Sequence, residues 1–189
     1  MPQRWGQLLM VGLPGQELDA TGRYLIDDLQ VGGIILFKRN IGEAGQVAAL
    51  IRDCQNLALG AHGYPLLVAV DQEGGPVQRF REPFPEMPSA RQLGQAGDPA
   101  AVTGAARQVG RELRALGVTI NLAPVLDVAS SPTCPLWERS YSADPEEVAR
   151  FGLAAMQGYL AGGVLPVAKH FPGLGGTQLD SHLDLPTSI

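Results

Sequence analysis

Three features of the sequence predict an α/β fold built on a parallel sheet. Short, continuous apolar runs alternate with longer amphipathic stretches along the chain, the pattern of strands buried on both faces and covered by helices. Helix starts are marked by Asp-Pro pairs, Asp98-Pro99 and Asp144-Pro145, which place a capping carboxylate before a proline at the first helical position. Polar residues gather where apolar runs end, the edge at which α/β proteins bind ligands. About five β/α units are expected from this pattern. They fit either an open doubly wound sheet or part of a (β/α)8 barrel.

The elements follow in order. Residues 8–13 read as a strand, and 19–29 as a helix with Leu25, Ile26 and Leu29 at helical spacing. After the Gly32-Gly33 turn, 34–37 form a buried strand. A helix over 45–59 places Val47, Leu50, Ile51 and Leu57 roughly on one face. Residues 65–70 are the next strand, 98–116 a capped helix and 118–122 another strand. Asp144 opens a helix whose acidic first turn, Glu146 and Glu147, suits the helix dipole. That helix runs to about residue 161 and stops at Gly162-Gly163. A strand over 164–168 follows.

Composition narrows the function. The chain has 189 residues and a mass of 20.0 kDa, enough to bury roughly 70% of the surface of the unfolded chain. Hydrophobic residues make up 45% and charged residues 17%, which excludes intrinsic disorder. Gly 24 and Pro 15 make the chain rich in turns and argue against a coiled coil or simple bundle. A net charge of -5 and a pI of 5.1 argue against sequence-independent nucleic-acid binding. No apolar run reaches the ~20 residues of a membrane span. The N-terminus MPQRWGQLLMVGLPG lacks a secretory apolar core. Cys54 and Cys134 lie far apart without a CxxC pattern. A cytoplasmic protein with reduced thiols and no disulfide is predicted.

Polar clusters stand at Lys38-Arg39-Asn40, Asp71-Gln72-Glu73, Asn121 with Asp127, and Lys169-His170. Asp71 and Glu73 end an apolar strand and precede Gly74-Gly75, which permit close ligand approach; carboxylates there can accept hydrogen bonds from hydroxyls. Lys169 and His170 end another apolar strand, where unpaired donors would be costly. Asp180-Ser181-His182 follows Gly173, Gly175 and Gly176. An aspartate two residues from a histidine can fix its tautomer and make it a proton carrier near neutral pH. Arg39, Arg79 and Arg139 can each donate a fork of hydrogen bonds. The histidines His62, His170 and His182 have no metal-ligand spacing, and neither GxGxxG nor a Walker pattern is present. No metal and no cofactor are expected.

Taken together, the segments GGIILFKRN (32–40), VDQEGGPVQRF (70–80), INLAPVLDV (120–128), ERSYSADPEEVA (138–149) and AKHFPGLGGTQLDSH (168–182) resemble glycoside hydrolase family 3, most closely its bacterial β-N-acetylglucosaminidases (β-hexosaminidases). They occur in family order and cover nearly the whole chain. The resemblance implies a (β/α)8 TIM-type barrel, of which residues 1–189 would form the N-terminal part, about five units. An eight-unit barrel typically needs ~250 residues. It also implies retaining hydrolysis of terminal β-linked N-acetylglucosamine, in the branch serving cell-wall (peptidoglycan) recycling. Asp71, Arg79, Arg139, Lys169 and His170 match that branch's sugar-binding positions. His182 matches its acid/base and Asp180 the orienting partner. The implied partner is an N-acetylglucosaminyl glycoside, with neither nucleic acid nor membrane.

The sequence departs from the family in three places. Pro76 stands where the DQEGGR pattern has Arg, and Leu174 where FPGHG has His. No residue matches the family's aspartate nucleophile, which belongs to a later strand. The 189 residues are therefore expected to be part of a longer enzyme and inactive alone. The alternatives are a β-glucosidase-type member of the family or a non-catalytic sugar-binding fragment.

Overall fold

The computed structural model describes residues 5–81, 84 and 86–177. Five parallel strands form one sheet in the order β1 (Met10–Gly12), β2 (Gly33–Leu36), β3 (Leu67–Val70), β6 (Ile120–Asn121) and β7 (Leu165–Pro166). A small antiparallel hairpin, β4 (Gln72–Gly74) and β5 (Val77–Gln78), stands on the C-terminal end of β3. The helices are α1 (Ala20–Arg23), α2 (Ala44–His62), α3 (Ala90–Ala96), α4 (Pro99–Leu116) and α5 (Pro145–Gly162). Strand order follows chain order, as in successive β/α units of a barrel. The fold is a TIM-barrel-like α/β arrangement, present here as a partial barrel.

The Asp98 and Asp144 caps sit where the sequence placed them, and Asp19 adds a third at the start of α1. Asp19 Oδ1 accepts from Gly22 N at 2.8 Å, Asp98 Oδ1 from Ala100 N at 2.8 Å and Asp144 Oδ1 from Glu146 N at 2.9 Å. Each satisfies an otherwise orphaned N–H of a first helical turn. The helix expected over 19–29 is regular only through Arg23 and then widens into a π-turn over Tyr24–Asp28. Except for β2, four residues long as expected but one residue earlier, the strands are shorter than their apolar runs: the one expected over 164–168 pairs as a strand only at Leu165–Pro166.

The hairpin and α3 are additions to the sequence reading. The paired glycines after Glu73 turn the chain back on itself. Gly74 has φ +102°, and a Cβ there would lie 2.4 Å from the Pro88 carbonyl oxygen. No larger residue fits this turn. α3 is held by a capping box, in which Ser89 accepts from Gln92 N and the Gln92 side chain accepts from Ser89 N.

Register sorts the strand residues into two faces. Ile34, Leu36, Val68 and Val70 point into the main core with Val47, Leu50 and Ile51 of α2 and Val102, Val109 and Leu113 of α4. The opposite face carries Met10, Leu67 and Leu165, which are 39%, 47% and 54% exposed. The helix-facing side is closed, whereas the inner side exposes apolar residues at the first positions of these strands; Ala69 and Ile120, further along the same face, are buried. α4 and α5 pack at unusually close range: a Cβ at Gly158 would meet Thr103 O at 2.5 Å, and one at Gly162 would meet Gly110 Cα at 2.7 Å.

Candidate active site

Parallel topology directs the C-terminal ends of β3 and β7 to the same edge of the sheet. Asp71 follows β3 directly, and Glu73 lies two residues on in β4. Because side chains alternate along an extended segment, Asp71 and Glu73 share a face while Gln72 points the other way. Gln72 Oε1 accepts from Arg79 N and Phe80 N at 2.9 and 3.0 Å, and its Nε2 donates to Phe80 O at 2.9 Å. This buried amide closes the hairpin and sets Arg79 beside Asp71. Asn121 at the tip of β6 exchanges two hydrogen bonds with the Gln72 backbone, at 3.0 and 2.9 Å, and so fixes the same segment from the neighbouring strand.

Lys169 and His170 reach the site just beyond β7. Val125 bridges Lys169 in parallel pairing, and Leu126 N donates to Lys169 O at 2.6 Å. Arg139 arrives from the loop between β6 and α5.

These side chains meet in one network. Lys169 Nζ lies 2.7 Å from Asp71 Oδ1 and 2.6 Å from Glu73 Oε1. Arg139 grips Glu73 in a fork, Nε to Oε2 at 2.8 Å and a terminal nitrogen to Oε1 at 2.9 Å. A terminal nitrogen of Arg79 lies 3.5 Å from Asp71 Oδ2. Arg139 also approaches His170 Nε2 at 3.5 Å, and His170 Nδ1 lies 2.6 Å from Asp127 Oδ2. Burial disfavours the charge on Arg139, yet the hydrogen bond and charge of Glu73, with Asp127 and Asp71 beyond, outweigh it and raise the guanidinium pKa.

The arrangement suits a polyhydroxylated ligand. Glu73 is almost wholly buried and spends its lone pairs on Arg139 and Lys169, whereas Asp71, Arg79 and His170 keep part of their surface open. Arg79 Nε is buried with no hydrogen-bond partner among the described residues. Carboxylate acceptors and cationic donors interleave, and a sugar hydroxyl can both give and take a hydrogen bond. An open cavity of about 320 Å³ adjoins them, lined by Leu126, Asp127, His170, Pro172, Gly173 and Gly176 among others.

Asp71, Arg79, Arg139, Lys169 and His170 are thus brought together. Asp180 and His182 lie outside the described residues. Arg39, weighed as a further fork donor, serves the scaffold: its Nε donates to Leu13 O at 2.8 Å and its guanidinium stacks on Phe37 at 4.7 Å. The sequence places Glu73 and Asp127 in polar clusters at strand ends, with Glu73 an acceptor for hydroxyls, but names neither among the sugar-binding residues. Glu73 was detectable from its i, i+2 spacing with Asp71. Asp127 was detectable as an acid inside the apolar stretch Leu126-Asp127-Val128, which demands partners when buried. Among the described residues no group of three or more His, Cys, Asp or Glu is placed to hold a metal ion, and no helix is long and apolar enough to cross a membrane. Cys54 and Cys134 are buried free thiols.

Comparison with known proteins agrees with this geometry. A β-hexosaminidase of Thioalkalivibrio sulfidiphilus (strain HL-EbGR7) is 42% identical over 184 residues, covering 94% of this chain and 52% of that protein. A glycoside hydrolase family 3 β-N-acetylglucosaminidase from Paenibacillus sp. str. FPU-7 superposes with a TM-score of 0.94 at 44% identity, covering 97% of this chain and 35% of that one. NagZ from Neisseria gonorrhoeae, solved in complex with N-trifluoroacetyl-D-glucosamine, superposes with a TM-score of 0.83 at 39% identity, covering 94% of this chain and 53% of that one. The chain spans about half the length of the curated relatives it matches. Residues 1–188 match the glycosyl hydrolase family 3 N-terminal domain, and the chain belongs to that family.

Proposed function

We propose that these residues are the sugar-binding half of a retaining β-N-acetylglucosaminidase site. The observation that carries this reading is the convergence of Asp71, Arg79, Arg139, Lys169 and His170 on one sheet edge. The names of the similar proteins support the substrate class. Residues 1–189 form the N-terminal part of a single catalytic barrel, and the exposed inner-face residues Met10, Leu67 and Leu165 are covered when the barrel is complete.

In this reading Asp71, Arg79, Lys169 and His170 hold the terminal N-acetylglucosamine by its hydroxyls. Arg139 and Glu73 keep Lys169 and His170 in register. His182, oriented by Asp180, protonates the glycosidic oxygen as a carboxylate from outside the 189 residues attacks the anomeric carbon. The leaving alcohol departs and a glycosyl-enzyme ester forms. The same imidazole then takes a proton from water as it attacks the anomeric carbon. The carboxylate is released, and the configuration is retained after two inversions. The imidazole is a cation when it acts as the acid and neutral when it acts as the base, so it never places a second anion beside the nucleophile, which gives a physical reason for histidine in place of the usual acid/base carboxyl. Cell-wall recycling in the cytoplasm is the role that fits an N-acetylglucosaminidase of this kind.

The test is turnover of an aryl β-N-acetylglucosaminide by the full-length gene product, with His182→Ala alongside. The substitution should lower the rate roughly 10²-fold or more, the scale of lost acid/base catalysis. The 189 residues alone should bind N-acetylglucosamine without turning over the glycoside. Turnover of the aryl β-glucoside instead would move the assignment to a β-glucosidase. No turnover of either glycoside would refute it.

A further inference from the structure

Asp127 is the most completely buried ionisable group at the site, with its side chain 0% exposed. It lines the cavity beside the site, yet every lone pair its carboxylate uses is directed at the segment that carries His170. Oδ2 takes His170 Nδ1 at 2.6 Å and the His170 backbone N–H at 3.1 Å, while Oδ1 takes the Leu174 backbone N–H. One carboxylate on the β6 side thus fastens both the residue at the tip of β7 and the glycine-rich stretch after it.

The chemistry of the two neighbours fixes more than position. A carboxylate only accepts, so a hydrogen bond at 2.6 Å places a proton on His170 Nδ1. On the other side of the ring, 3.5 Å from Nε2, lies an Arg139 terminal nitrogen, which only donates. Both neighbours ask for the same tautomer. We propose that Asp127 is a positioning residue that holds His170 as the Nδ1–H tautomer, so that Nε2 of the partly exposed ring presents a lone pair to the site. Resting on the sugar-hydrolase reading, this deepens it. Asp71 and His170 would then both accept from ligand hydroxyls, while Lys169 and Arg79 donate. At the His170 position the site selects a group that can give a proton into a hydrogen bond, and a deoxy or O-methyl sugar at that position loses the contact.

The full-length gene product labelled with ¹⁵N-histidine tests this by long-range ¹H–¹⁵N correlation, with His170 assigned through His170→Gln. In the unsubstituted protein His170 Nδ1 should resonate in the protonated range and Nε2 in the unprotonated range. The reverse pattern overturns the proposal whatever any variant does. In Asp127→Ala the Nε2 resonance should leave the unprotonated range for the averaged value of a ring whose proton exchanges between both nitrogens. A folded Asp127→Ala protein with the original tautomer would assign the effect to Arg139 and overturn Asp127's role. Adding N-acetylglucosamine to the same sample should shift Nε2. Absence of that shift counts against the sugar reading and leaves the tautomer assignment standing, so the two failures are distinguishable.

Discussion

Glu73→Gln removes one charge from the centre of the site with almost no change of shape. The Glu73 side chain is 5% exposed, and its partners Arg139 and Lys169 are 17% and 15% exposed. In the native protein Asp71, Glu73 and Asp127 face Arg79, Arg139 and Lys169, so the cluster's carboxylates and basic side chains balance. Glutamine can keep an oxygen between Lys169 and the Arg139 terminal nitrogen. Its amide nitrogen then points at Arg139 Nε across 2.8 Å, donor against donor. Flipping the amide loses two acceptors instead of one. Breaking one partner of a buried ion pair costs about 3–5 kcal/mol. Water still reaches the two cations, so the lower end applies, about 3 kcal/mol, roughly 10²-fold in the unfolding constant. With a urea m-value of about 2 kcal/mol/M the midpoint should fall by about 1.5 M. The assay is urea unfolding of the full-length gene product followed by far-UV circular dichroism, with Glu147→Gln as the exposed control. Glu147 pairs with Arg150 at 2.6 Å one helical turn away, but the two are 40% and 46% exposed. Its loss should cost no more than about 0.5 kcal/mol. If Glu73→Gln costs as little as Glu147→Gln, the network is not a buried ionic cluster and the reasoning fails.

Other predictions follow from packing and titration. Gly158→Ala should destabilise by about 1–3 kcal/mol, because its Cβ would sit 2.5 Å from Thr103 O at the α4–α5 contact. Gly104→Ala, on the same helix pair but facing open space, should instead stabilise by up to about 1 kcal/mol. Equal effects in thermal melts would contradict the close packing. Burial, with a smaller push from Asp53, raises the Cys54 thiol to about 12 from its ordinary 9.0. The unfolded chain therefore loses its thiol proton first, so this contribution is complete below about pH 9 and is lost as pH rises towards about 12. Burial raises Tyr141 and Tyr159 as well, and they act in the same direction. Cys54→Ala should make the alkaline fall in urea midpoint shallower, and an unchanged slope would contradict the assignment.

Much of the fold was legible because its signals are local. Asp98-Pro99 and Asp144-Pro145 opened helices at the expected residues, since a cap and a fixed proline φ need nothing from the rest of the chain. Apolar runs marked all five strands of the parallel sheet but overstated the lengths of four of them, because hydrophobicity reports burial while strand bounds report pairing. The 72–78 hairpin was missed because Gly74 and Gly75 signal a turn without saying what it joins. Its closing agent, the Gln72 side chain, acts across eight residues. At the site, individual residues were readable as motif positions, but their partnerships were not. Glu73 is joined to Arg139 across 66 residues, and Asp127 to His170 across 43. Both acids are buried behind the residues a ligand can touch.

The most direct test of the account is a crystal structure of the full-length gene product with N-acetylglucosamine bound. One sugar ring is expected at the C-terminal edge of the sheet, its hydroxyls within hydrogen-bond distance of Asp71, Arg79, Lys169 and His170. Glu73 and Asp127 should be unchanged behind them. A sugar bound elsewhere, or bound there without contact to these four side chains, would contradict it.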